Sequence, residues 1–122
     1  MNVYANDGEN TLQLRGAGIS DNFGLTVDNI KLVKEGTTQN LVVNGGFENP
    51  KIDKDWKGFH EGIQGWSATY MEIGVGTFFN PRWPSQVCEL DGAGNSIITQ
   101  KIFVRYMYTL SLEFAAREDS PL

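Results

Sequence analysis

Apolar and polar residues alternate along most of this chain with a period of two, the repeat of a strand with one face buried. In "TLQLR", Thr11 to Arg15, Leu12 and Leu14 share a face. In "YTLSLEFAAR", Tyr108 to Arg117, the alternation runs longer and aligns Leu110, Leu112, Phe114 and Ala116. "SATYMEI", "QVCEL" and "SIITQKIFV" are short, rich in β-formers, and bounded by Gly, Pro or Asn. About seven strands separated by turn signals predict an all-β sandwich. No helix is expected, because "KDWKGFHEGIQGW" carries too many glycines for one.

One strand breaks phase. In "LTVDNIKLV", Leu25 and Val27 point one way and Ile30 and Leu32 the other. A bulge at Asp28–Asn29 would reverse the phase and re-aim Asp28. The alternative is burial of both faces without a bulge. "KLVKEGTTQNLVV" reads as a hairpin turning at Gly36, with Ile30–Val33 antiparallel to Leu41–Val43.

At 122 residues the chain is long enough for one core, so residues 1–122 are expected to form one domain. The net charge of −5, with Lys and Arg scattered, argues against nonspecific nucleic-acid binding. No apolar run approaches a membrane span, and "MNVYANDGEN" lacks the basic start and apolar core of a signal peptide. The single cysteine, Cys88, has no disulfide partner and is expected to pack as a small buried hydrophobe.

"NLVVNGGFENP", then "GW", "CELDG", "SIITQ" and "YTLSLEF", resemble the galactose-binding-like jelly rolls, a group that includes several carbohydrate-binding modules. The opening Asn-Leu-Val-Val-Asn-Gly-Gly-Phe-Glu carries most of that resemblance, which covers nearly the whole chain. It implies a jelly-roll β-sandwich of seven to eight antiparallel strands. The order is permuted: residues 1–33, ending in "GLTVDNIKLV", resemble the family's C-terminal part, and residues 40–122 its N-terminal part. Circular permutation and a cut across a tandem repeat fit that order equally. The family continues past the strand matching "FAAR", so either the sandwich is reduced or an edge stays open to another copy.

The resemblance also implies chemistry. In related modules the Glu of the opening motif and the Asp of the closing strand help bind a structural calcium; here those positions are Glu48 and Asp28. Calcium prefers several hard oxygen ligands, and carbonyls near Gly45–Gly46 would add to two carboxylates. The competing reading makes Glu48 a turn cap and Asp28 a solvated bulge residue. The spacing of an EF-hand is absent, and His60 with Cys88 is too little for zinc.

"FFNPRWPS", Phe78 to Ser85, places aromatics and an Arg between and beside two prolines, which predicts a loop. Sugars offer C–H faces to flat rings and hydroxyls to polar side chains. Tyr70, Phe78, Phe79 and Trp83 are candidate platforms, with Glu72, Asn80 and Arg82 as hydrogen-bonding partners. The alternative is a plug, with the loop folded over one end of the sandwich and Arg82 paired to Glu72 or Glu89. Trp66, in "GW", is expected to be buried. Glu89 and Asp91 share a strand face, as glycosidase carboxylates can, but no catalytic motif accompanies them and no enzyme is expected.

The expectation is a noncatalytic carbohydrate- or ligand-binding module of a secreted or cell-surface protein. The alternative is a structural module whose copies, or neighbouring repeats, pair by strand complementation.

Overall fold

Every regular element among the described residues is a strand. The computed structural model describes residues 2–3, 7–16, 25–75, 85–90, 96–104 and 108–116. In chain order the strands are β1 (Asn2–Val3), β2 (Gly8–Arg15), β3 (Leu25–Lys34), β4 (Trp56–Phe59), β5 (Met71–Val75), β6 (Gln86–Glu89), β7 (Ile97–Val104) and β8 (Tyr108–Ala116). A six-stranded sheet runs β1-β8-β3-β6-β5-β4, and β2 pairs with β7 in a second sheet. All pairings are antiparallel. Ser67 bridges to Thr99 and so adds to the β7 side of the second sheet. The fold is an all-β sandwich of two antiparallel sheets, without a closed barrel among the described residues.

The core lies between the sheets. Ile98, Ile102 and Val104 of β7 meet Val27, Ile30 and Leu32 of β3, Met71 and Ile73 of β5, and Cys88 of β6. Each fully buried aliphatic side chain of this kind contributes about 1.5–3 kcal/mol. Leu12 and Leu14 pack on this core half-buried, as their alternation predicts.

The phase break in β3 has two causes acting together. Its register against β8 shifts between Asp28 and Lys31, so a bulge forms. Asn29 takes a positive φ of 49°, a conformation that Asn tolerates better than most residues. Both faces are also covered here, with Thr26, Val27 and Asp28 all buried.

The expected hairpin forms only in part. The chain turns through Gly36 (φ 78°), Thr37 N donates to Lys34 O, and Val33 bridges to Asn40. Leu41–Val43 is not a strand. Asn40 Oδ1 accepts from the Leu32 and Val42 amides, at 3.0 Å each, and so stands in for a strand partner. Val43 is then drawn to the other sheet, where Gln100 accepts from its N–H and donates to its carbonyl. The chain returns to β3 at Gly45, whose carbonyl accepts from Ile30 N. The short strand β4 arises inside "KDWKGFHEG", where no alternation announces it.

Candidate functional site

The bulge and the turn after Asn40 bring two acidic residues to one corner. Asp28 is 3% exposed, an unusual place for a carboxylate. Its Oδ1 accepts from Asn29 N at 2.8 Å, and its Oδ2 from Ser85 Oγ at 2.9 Å. Glu48 Oε2 accepts from the amide of the next residue, Gln86, at 3.0 Å. Burial raises the Asp28 pKa from 3.8 to about 6. The Asn29 and Ser85 hydrogen bonds pull it back, while the charges of Glu48 and Glu113 push it further up. Glu113 is the register partner of Asp28 on β8. Burial also raises Glu48, against the opposing effect of the Gln86 amide. Among the described residues the ion pair is Lys101–Glu9, on the second sheet, and no Lys or Arg pairs with Asp28 or Glu48.

The opening motif holds Glu48 in place. Gly45 packs so tightly on β3 that a Cβ would collide with the Ile30 carbonyl oxygen. Asn44 (φ 53°) and Phe47 (φ 56°) complete a left-handed turn, with Phe47 N donating to Asn44 O. A positive φ is costly for Phe. Full burial of its ring, stacked on Trp66 at 5.6 Å, offsets that cost. Trp66 is buried as expected, and its Nε1 donates to Asn44 O. Gln86 fixes the far side of the turn: Oε1 accepts from Ile52 N, and Nε2 donates to Phe47 O and Pro50 O. Glu48 therefore leaves a segment pinned on both sides.

A cation would fit this corner by its chemistry. One carboxylate is turned from water, a second lies near enough to repel it, and each keeps oxygen lone pairs to spare. Asn29 Oδ1 also lies on the Glu48 side: it and Glu48 Cγ both come within 4 Å of the open position at Gly46. No third His, Cys, Asp or Glu joins the group among the described residues, so any further ligands from these residues would be neutral oxygens.

The second assembly lies on the far face of the six-stranded sheet, the one turned away from β2 and β7. On β5, Met71 and Ile73 face the core, which sends Glu72 and Gly74 to the far face. Glu72 lies in register with Glu89 of β6 and Gly58 of β4. Tyr70 lies against Gly58, where a Cβ would come 2.6 Å from Tyr70 Cε2. Tyr70 therefore uses space that only glycine leaves open. Its hydroxyl donates to Glu72 Oε2 at 3.4 Å, and its ring lies 5.3 Å from that of His60. Burial, then the charge of Glu72, raises the Tyr70 pKa. The far face is sealed at Thr26, Val87 and Glu89, all at 0% exposure, and opens at Tyr70 and Glu72, which are half-buried.

Of the residues proposed from sequence, the structure brings together Asp28 with Glu48, and Tyr70 with Glu72. Phe78, Phe79, Asn80, Arg82, Trp83 and Asp91 lie outside the described residues; Ser85 is the described end of their segment. Cys88 is fully buried, and burial with the neighbouring Glu89 pushes its thiol pKa up. Sequence reasoning missed Trp56, Gly58 and His60. Only the β4–β5 pairing places them beside Tyr70, and β4 has no periodicity to betray it. Compared with protein-family models, curated proteins and solved structures, the chain matches none.

Proposed function

We propose that this chain is a noncatalytic ligand-binding β-sandwich module of a secreted or cell-surface protein, with carbohydrate as the ligand class. The observation that carries the reading is Tyr70 set over Gly58 and bonded to Glu72, at the place where the far face opens. A half-buried ring beside a carboxylate offers a stacking surface and a hydrogen-bond acceptor together, which is what a sugar ring needs. Phe78, Phe79, Asn80, Arg82 and Trp83, which follow β5 in the chain, would add to the contact. Asp28 and Glu48 would hold a calcium ion, with neutral oxygens completing the shell; bound there, the ion would neutralise the buried carboxylate. The likeness to carbohydrate-binding jelly rolls in permuted order rests on the sequence motifs. A glycan array with the wild type and with Tyr70→Ala tests the reading. Binding of a glycan class that Tyr70→Ala abolishes at unchanged Tm supports it; no glycan bound in the presence of calcium refutes it.

A second reading, pairing between copies, is favoured by β8. Leu110, Leu112 and Phe114 share the inner face with Val27 and Leu32 of β3. Leu110 and Leu112 are nevertheless only half-buried, and Phe114 is 66% exposed. The two-stranded sheet does not cover this part of the six-stranded one. A second copy of the chain would supply the missing apolar cover. Light-scattering mass over a concentration series separates the readings. Dimers or polymers that Phe114→Glu dissolves into folded monomers support pairing, and a monomer at every concentration refutes it.

A further inference from the structure

On β4 the residues alternate between faces. Trp56 lies opposite Gly74 and Gly58 opposite Glu72, so Trp56 and Gly58 share the far face that Tyr70 occupies. Two residues along a strand span about 7 Å. Trp56 therefore stands one side-chain step beyond Tyr70, towards the β4–β5 end from which the 76–84 segment departs. It is 48% exposed, although an indole is among the costliest side chains to leave in water. A groove of about 570 Å³ opens beside it, lined by Asp53, Lys54, Asp55, Trp56, Lys57 and Gly58. That volume falls within the roughly 300–1,000 Å³ of small-molecule sites.

The charge of the groove selects its ligand. Asp53 and Asp55 oppose Lys54 and Lys57, so an ion of either sign gains no net attraction. A neutral polyol, in contrast, meets acceptors and donors at once, and the indole face suits its C–H surface. Tyr70 and Trp56 on one face also make two platforms in a row, which fits a chain of sugar rings better than a single ring.

We propose that Trp56 and the Asp53–Gly58 groove form a second subsite, engaging a neutral oligosaccharide that continues from Tyr70 and Glu72. The inference rests on the carbohydrate reading above and adds the subsite, the neutrality and the chain length of the ligand.

The test is titration of the whole chain, with calcium, by neutral β-linked gluco-, manno- and galacto-oligosaccharides from monosaccharide to hexasaccharide. Indole N–H signals, assigned with Trp56→Phe, report which Trp responds. The expected result is affinity that rises with chain length, a shifted Trp56 indole signal, and a loss of about tenfold for the hexasaccharide in Trp56→Ala, the order of one stacking contact. In that variant the length dependence should flatten while a Tyr70-dependent monosaccharide affinity persists. Binding that Tyr70→Ala abolishes, with the Trp56 signal unmoved and Trp56→Ala at wild-type affinity, overturns the subsite and leaves the carbohydrate reading standing. No binding by any member of the series overturns both.

Discussion

Asp28→Asn in metal-free protein separates a buried charge from an ordinary surface acid. The folded chain holds the Asp28 proton until about pH 6, whereas the unfolded chain releases it near 3.8. Between those values the folded state binds more protons, so stability rises as pH falls through this window. Above about pH 6 the carboxyl is ionised in both states, and the full cost of burying the charge is felt. Below about pH 3 it is neutral in both states, and that cost is gone. Raising a carboxyl from 3.8 to about 6 corresponds to a ceiling of about 3 kcal/mol. Desolvation is the main cause, and an interior that relaxes around the charge softens it, so about 1–2 kcal/mol is the expected effect.

Asn is a fair neutral replacement. It keeps an oxygen to accept from Asn29 N and offers an N–H to Ser85 Oγ, so geometry survives while charge is removed. In chelator, urea unfolding should show Asp28→Asn more stable than wild type by about 1–2 kcal/mol near pH 7.5. The difference should shrink through pH 6 to 4 and vanish below about pH 3. Added calcium should stabilise the wild type according to its occupancy and leave Asp28→Asn unmoved. A difference independent of pH would refute the buried-charge reasoning. Equal stabilisation of both proteins by calcium would remove Asp28 from any metal site.

Other expectations follow from the same geometry. Gln86→Leu should cost about 3 kcal/mol by denaturation, because it strands the Ile52 amide and the Phe47 and Pro50 carbonyls. A loss below about 0.5 kcal/mol would show that water replaces it fully. Cys88 should resist alkylation in the native state and react at the rate of global unfolding, as quenched labelling followed by mass spectrometry reads. Labelling faster than unfolding would mean that β6 opens locally.

The strands with one buried face were legible because their alternation is a direct consequence of the pleat. β2, β7 and β8 fall where "TLQLR", "SIITQKIFV" and "YTLSLEF" place them. The phase change was legible with two readings, a bulge or cover on both faces, and the structure has both. β4 was not legible: at the sheet edge Trp56 and Lys57 remain exposed, so burial imposes no pattern on the sequence. The failed strand at Leu41–Val43 has the opposite cause. Its residues are apolar enough, but the side chains of Asn40 and Gln100 compete for the backbone groups that a strand partner would have taken. Sequence also paired Asp28 with Glu48, through the opening motif, but left Asp28 either solvated at a bulge or covered on a strand buried on both faces. Only the packing of β3 decides for burial.

The two assemblies share strand β6, and this gives a test of whether they act together. Ser85, just before it, and Gln86, its first residue, bond to Asp28 and Glu48 respectively. Glu89, at its end, lies in register with Glu72, which carries the Tyr70 bond. An ion held at Asp28 and Glu48 would fix the start of β6 through these bonds. If β6 links the two assemblies, calcium should tighten oligosaccharide binding, by about fivefold at the low end of ordinary coupling. Linkage then requires the oligosaccharide to tighten calcium by the same factor. Calorimetric titration of each ligand with and without the other measures both sides. Equal factors above one support coupling through β6. Factors of one would mean that the acidic corner serves stability alone, with the Tyr70 face recognising its ligand independently of it.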